Sequence, residues 1–307
     1  MSLLSLIAVF LIEQLKPLDY RRIVEGPANA WADLVESGFN AGNRWHGVAA
    51  WCVAVLVPVI VLALIYAALH AVSPVLGWLL NVIVLYLTMG FRQFSHYYTD
   101  IQVALRLGEL DRARALLAEW QQIPTQRMGS EEIARVSIER ALVASHRHVF
   151  GVLLCFVLLP GPCGALLYRL GLIVRDRWQL SDIAQHNDFS QFARQVFGMI
   201  DWLPLRATAS AFAIVGDFED AVHCWRTQAA LWPDKDMGIV LAGGAGALGV
   251  RLGGSVIEEG DAADRAELGL GEPADVDFMQ SAVGLVWRAT VLWMLLLFLL
   301  GLASLVG

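Results

Sequence analysis

The clearest pattern in this chain is the length of its apolar runs. From Gly47 to Val72 there is no Asp, Glu, Lys or Arg. An α-helix rises about 1.5 Å per residue and a bilayer's hydrocarbon core is about 30 Å thick, so roughly 20 apolar residues span it. The run exceeds that need. Ser73-Pro74 then breaks it, and Val75 to Phe91 forms a second uncharged run, so the two together predict a membrane hairpin. A third run follows Arg288 and continues without charge to Gly307, predicting a membrane helix that begins near Leu285, with Arg288 snorkelling. The N-terminal stretch at about 2–15 is apolar but short. It lacks the basic start and small-residue cleavage site of a secretory signal and is expected to stay on the mature protein.

The segment 149–174 is long enough to span but is interrupted by Pro160-Gly161-Pro162. It reads either as a broken helix that crosses or as a re-entrant hairpin with two short arms. The pattern therefore predicts an all-α polytopic membrane protein, one domain over 1–307 with about four to five embedded segments: 2–15, 47–72, 75–91, 149–174 and 285–306. The intervening loops, 92–148 and 175–283, are expected to be helical. Within the first, Ser130 followed by Glu131 and Glu132 reads as an N-cap with acids in the first helical turn. Pro204 marks a kink or a new helix start. The stretches 104–120 and 211–225 each place a glycine five residues before an alanine with acids around the turn, predicting two similar helical hairpins rather than a stacked repeat array.

Composition sharpens the class. The chain is 57% hydrophobic and 17% charged, with a mean hydropathy of +0.56, whereas about 25% of residues are charged in an ordinary soluble domain. The lipid bilayer is thus the first partner. A net charge of -7 without a basic stripe argues against nucleic acid. Loop 92–148 carries eight Arg and no Lys, which favours a cytoplasmic placement. Cys52, Cys155, Cys163 and Cys224 form no C-x-x-C pair and read as buried thiols.

Candidate chemistry is sparse, and no catalytic residue stands out. Gly244, Gly246 and Gly249 spell a literal G-x-G-x-x-G, but a dinucleotide fold needs a strand before it and a helix opening from it. Gly253-Gly254 would end any helix, and nothing after them alternates as a strand should. Two readings stay open for the run Gly243 to Gly254: tight helix packing, or a nest of backbone N–H groups that holds phosphate beside Arg251. His146 and His148, two apart, point to different helix faces and do not make a metal pair, while His96 and Asp100 have the four-residue spacing of a polar cap. The acids Glu258, Glu259, Asp261, Asp264, Glu267, Glu272, Asp275 and Asp277 read as a solvated loop rather than a metal site.

Four segments, Gly246 to Gly254, Trp202 to Ala209, Gly161 to Arg169 and Gly108 to Leu117, carry a family likeness. In them the chain resembles the CobD/CbiB family of cobalamin-biosynthesis membrane proteins. This resemblance implies an adenosylcobinamide-phosphate synthase of the bacterial inner membrane, forming an amide between a corrinoid carboxylate and aminopropanol phosphate. The same resemblance implies ATP and Mg²⁺, and a substrate- or phosphate-binding set of Gly243, Gly244, Gly246, Gly249, Arg251, Gly253, Gly254 and Arg206 for a corrinoid or other anionic small molecule. The chain departs from the synthase pattern at Val143 to Gly151, Leu170 to Asp176 and Phe197 to Asp201, where polar residues of the family are missing. There, and in Ile200 to Arg206 and Gly216 to Trp225, it is similar to AmpE, a related membrane protein regarded as a sensor or signalling modulator.

Overall fold

The computed structural model describes residues 2–15, 20–40, 44–185, 188–258 and 261–306. In chain order its helices are α1 (Ser2–Leu15), α2 (Gly26–Phe39), α3 (Arg44–Trp51), α4 (Val57–Val72), α5 (Pro74–Thr88), α6 (Phe91–Arg106), α7 (Leu110–Gln121), α8 (Ser130–Ser145), α9 (Gly151–Leu158), α10 (Cys163–Gln185), α11 (Gln191–Val215), α12 (Phe218–Gln228), α13 (Lys235–Leu248) and α14 (Val276–Val306). Strands β1 (Val250–Glu258), β2 (Asp261–Leu268) and β3 (Glu272–Pro273) lie between α13 and α14 in sequence. The fold is helical apart from this small sheet.

Among the described residues, three helices are long and apolar enough to cross a membrane: Arg44–Val72, Ser130–Leu158 and Val276–Ala303. Leu3–Glu13 and Pro74–Thr88 are shorter apolar helices. The three differ in how much of their apolar window the protein itself covers, 22%, 67% and 28% in that order. The first and last therefore offer most of their surface to lipid. The chain divides into two compact units, Met1–Gly90 with Gly151–Pro204, and Phe91–Phe150 with Leu205–Gly307.

In the first unit, α3 runs through a π-helical turn at Cys52–Leu56 into α4. The break before α5 forms as its sequence demands: Ser73 is extended, its hydroxyl accepts from the Val75 N–H, and Pro74 occupies the first helical turn. The core gathers Ala32, Val35, Ala50, Trp51, Ala54, Val55, Val174, Trp178, Phe189 and Ala193. Trp178 Nε1 donates to the Ala32 carbonyl at 3.1 Å, and Arg177 grips Asp33 with two bonds of 2.7 and 2.9 Å. The Pro160–Pro162 turn folds α10 back on α9. A Cβ on Gly164 would lie 1.8 Å from the Cys155 carbonyl oxygen, so only glycine allows these helices to approach so closely.

In the second unit the two expected glycine turns form; α6 packs on α7, while α12 packs chiefly on α13. Gly108, at φ +75°, separates α6 from α7, and Gly216 lies between α11 and α12, where the Asp217 carboxylate caps α12 by accepting from the Asp220 N–H. Tyr98 donates to the Met279 carbonyl at 2.8 Å, and the His146 ring meets the Thr208 hydroxyl at 2.9 Å. His146 is thus a satisfied core histidine. All four cysteines are free; Cys52 is half-buried and the other three are buried.

Several expectations need correction. The break expected in segment 149–174 forms between Leu158 and Cys163, but its arms are not short: the first completes the helix Ser130–Leu158 and the second opens α10, which continues to Gln185. The last helix starts at Val276 rather than near Leu285, because the Asp275 carboxylate accepts from the Asp277 and Phe278 N–H groups at 2.9 Å and begins the turn there. No new helix starts at Pro204, which lies inside α11. The N-cap of α8 is Gly129, extended at ψ 174° and without a side-chain cap bond, so Ser130 is the first helical residue. Loop 175–283 is not wholly helical, since it contains the sheet of order β2-β1-β3. Of the acids read as a solvated loop, Glu258, Asp261, Asp264, Glu267 and Glu272 belong to strands. Glu259 lies outside the described residues.

Candidate functional site

The second unit contains an open cavity of about 740 Å³. Its walls are the start of α8 (Gly129, Ser130, Glu131, Glu132, Arg135), the start of β1 (Arg251, Leu252, Gly253), Glu267 of β2, and Pro273-Ala274. Its charges are mixed, with Glu131, Glu132 and Glu267 set against Arg135 and Arg251 and with Arg135 3.9 Å from the Glu132 carboxylate; beside those acids, two features attract anions. The first turn of any α-helix leaves its N–H groups unbonded and carries the positive end of the helix dipole, and at α8 no side chain caps them. Two guanidinium groups then join that helix end, Arg135 from α8 and Arg251 from β1.

The short alternation Val250, Arg251, Leu252 sets the direction of Arg251. Val250 and Leu252 are buried while Arg251 between them is exposed, as the two-residue period of a strand requires. The ladder with β2 then slips between Leu252 and Gly254, making Gly253 a bulge residue. Gly253 stands at φ +80° and Gly254 at φ +74°, a left-handed conformation that side chains disfavour. A Cβ on Gly253 would meet the Ala266 oxygen at 2.1 Å, and one on Gly254 would meet Arg135 Nη1 at 3.0 Å. Arg135 therefore rests across a glycine.

Below the bulge lies Glu139, one helical turn after Arg135 on α8 and only 3% exposed. Its carboxylate accepts from the Gly253 N–H at 2.8 Å and from Arg265 at 2.9 Å, and Arg265 stacks 4.9 Å above the Trp232 ring. A buried carboxylate persists only when its lone pairs are answered, and here a backbone donor and a guanidinium answer them. Glu139 is thus the residue that ties the glycine bulge to α8. Its partners lie more than a hundred residues away in sequence, so no local signal sets it apart from Arg135 and Arg140 beside it, among the buried Ile133, Ala134, Ile138 and Leu142. Arg135 escaped the sequence reading for the same reason, and Glu267, read there as part of a solvated loop, is on β2.

The glycines named from the sequence divide into two groups. Gly243, Gly244 and Gly246 lie inside α13, where backbone N–H groups serve the helix, and they face Ala209, the Leu142 side chain and the Asp220–Ala221 backbone respectively. Gly249 ends α13 at φ +66°, and its carbonyl accepts from the Glu272 N–H at 3.3 Å. Gly253 and Arg251 line the cavity, and Gly254 adjoins it through Arg135. Arg206, on α11, is not among the residues lining the cavity. Among the described residues, no group of three His, Cys, Asp or Glu side chains is placed to hold a metal ion.

Known proteins give this geometry a context. Residues 24–286 match the family model described as CobD/Cbib protein. The chain is 36% identical over 270 residues, 87% of each protein, to the cobalamin biosynthesis protein CobD of Stutzerimonas stutzeri. It is 34% identical over 220 residues to the protein of the same name from Chromobacterium violaceum, covering 72% of this chain and 70% of that one. A CobD from Streptococcus sanguinis is 24% identical over 231 residues, covering 73% of this chain and 72% of the relative. No solved structure matches. On the extent of these matches, the chain belongs to the CobD/CbiB family of cobalamin-biosynthesis proteins.

Proposed function

We propose that this protein acts at the bacterial inner membrane and joins adenosylcobyric acid to aminopropanol phosphate through an amide bond, with the phosphate of the amine substrate seated in the cavity of the second unit. The observation that supports this most is the convergence of an uncapped helix N-terminus, Arg135 and Arg251 on one open cavity beside a glycine bulge. Helix N-termini and guanidinium groups both favour phosphate oxygens, and close backbone approach at glycine leaves room for them.

Amide formation needs an amine that has lost its extra proton, a carboxylate carbon made electrophilic, and donors for the negative charge that develops on oxygen. The cavity carries carboxylates that can take the amine proton, Glu131, Glu132 and Glu267, and the α8 N–H groups as donors. ATP would supply a phosphoryl group to the corrinoid carboxylate, releasing ADP, so that the carboxylate oxygen leaves as inorganic phosphate when the amine attacks. Mg²⁺ commonly enters such sites on substrate phosphates with one or two protein carboxylates, which this donor set can supply. What the protein itself contributes in this reading is anchorage of the phosphate by Arg251 and Arg135, and a fixed bulge maintained by Glu139.

The test is synthesis by the detergent-purified protein supplied with adenosylcobyric acid, aminopropanol phosphate, ATP and Mg²⁺, read by mass spectrometry. The wild type should form the amide. A charged hydrogen bond to phosphate is worth about 1.5–3 kcal/mol, so Arg251→Ala should lower kcat/KM for the amine roughly 10- to 150-fold. No product beside an active relative would overturn the synthase reading in favour of a binding or signalling role.

A further inference from the structure

The first unit contains a groove of about 480 Å³ that is independent of the proposed reaction. Its walls are apolar: Ile23, Ala28 and Trp31 from in and before α2, Leu62 from α4, Leu87 from α5 and Ile173 from α10 are typical. One strong charge interrupts them. Arg169 of α10 lines the groove and is only 5% exposed. Its Nε donates to the Tyr20 hydroxyl, and its guanidinium carbon lies 4.6 Å over the Tyr20 ring. Burial raises the Tyr20 phenol above its ordinary value although Arg169 beside it acts in the opposite direction, so the phenol is neutral at physiological pH. Among the described residues no carboxylate lies within ion-pair distance of Arg169.

A buried guanidinium with no carboxylate beside it among the described residues is costly, and the contrast with Arg265, which has Glu139, is direct. The surroundings say where the missing anion comes from. Leu62, Val84 and Leu87 belong to the uncharged hairpin of α4 and α5, and the outward residues of α4, Ile60, Leu64 and Ile65, are 55%, 67% and 45% exposed. In a bilayer that surface faces hydrocarbon. Thr88, the last residue of α5, closes one wall of the groove, and Trp31 another. Tryptophan is enriched at the level of the lipid headgroups. A water-soluble anion would satisfy Arg169 but leave the apolar walls bare, whereas a lipid fills both parts.

We propose that this groove binds an anionic phospholipid, with one acyl chain along the α2, α4 and α5 walls and the phosphate on Arg169. The volume lies within the range of about 300–1,000 Å³ common for small-molecule sites. The experiment is native mass spectrometry of the full chain in detergent, offered phosphatidylglycerol or phosphatidylcholine at equal concentration, with inorganic phosphate added in a parallel arm. The wild type should retain one phosphatidylglycerol at least tenfold more than phosphatidylcholine, and phosphate at millimolar concentration should not displace it. Arg169→Gln should abolish the preference. Ala28→Trp, which keeps the arginine but fills the groove, should abolish retention of either lipid. Size-exclusion chromatography checks that both variants remain folded, and a variant that fails it is replaced by Arg169→Met or Ala28→Phe, with the same expectation at that site. Equal retention of the two lipids by the wild type, undiminished preference in the folded Arg169 variant, or displacement by phosphate alone would overturn the proposal.

Discussion

The glycines on the two sides of Leu248 look alike in sequence and differ in physical purpose. Before it, Gly243, Gly244 and Gly246 have ordinary helical backbones and exist to let other elements approach: a Cβ on Gly246 would meet the Asp220 oxygen at 2.5 Å and Ala221 Cα at 2.7 Å. After it, Gly249, Gly253 and Gly254 have positive φ and exist to turn the chain. The first group makes a core, and the second shapes the cavity. A glycine-rich run is therefore not one motif here, and the two halves should respond differently to added carbon.

The largest effect should come from removing the support of the second half. Glu139→Ala leaves Arg265 and the Gly253 N–H without their buried acceptor, and breaking such a pair costs about 3–5 kcal/mol. Chemical denaturation in detergent should show this loss; a cost under about 1 kcal/mol would mean that water replaces the carboxylate. Next is Gly246→Val, which forces α12 away from α13 and should cost about 3 kcal/mol, at the upper end for overpacking. Gly249→Ala provides the control between the halves. Nothing lies within 4 Å of its Cβ position, so only the left-handed backbone at φ +66° is penalised, by about 1–2 kcal/mol. If Gly246→Val cost under about 1 kcal/mol, close approach at that glycine would not be what holds α12 on α13. Arg251→Ala should change stability least, within about 0.5 kcal/mol, while weakening phosphate binding as predicted above.

The same boundary can be probed without mutation. Cys224 on α12 is fully buried, and burial, with a smaller contribution from Asp220, raises its thiol above the ordinary cysteine value. Only the thiolate is nucleophilic. Alkylation at pH 7 should therefore be slow in the native protein and become fast on unfolding. Fast native labelling, followed by mass spectrometry, would indicate that α12 opens away from α13 on its own.

Much of the molecule could be read in advance because lipid imposes a coarse rule. Charge-free runs at 47–72 and 75–91 have one explanation, and Gly108 and Gly216 mark their turns by local chemistry. The sheet was hidden for an equally physical reason. Only Val250, Arg251 and Leu252 alternate before the Gly253 bulge interrupts the period, and β2 reads as acids and alanines that resemble a loop. The cavity was half legible: Arg251 and its glycines form one local run, but Arg135 and Glu139 reach them only through folding. In segment 149–174 the Pro160-Gly161-Pro162 break was legible but the arm lengths were not, since the helices run on into the polar stretches at Ser130 and Gln185.

The small sheet has a consequence for how the protein behaves among copies of itself. An exposed sheet edge is a template for further strands, because its backbone donors and acceptors are already aligned. Here one edge, β3, is two residues long and ends in Pro273, which has no N–H to offer. The other, β2, carries Asp261, Asp264, Arg265 and Glu267 within eight residues. Neither edge invites a strand from another molecule, so the sheet is self-terminating. Crowding in a membrane or in a detergent micelle should not propagate it.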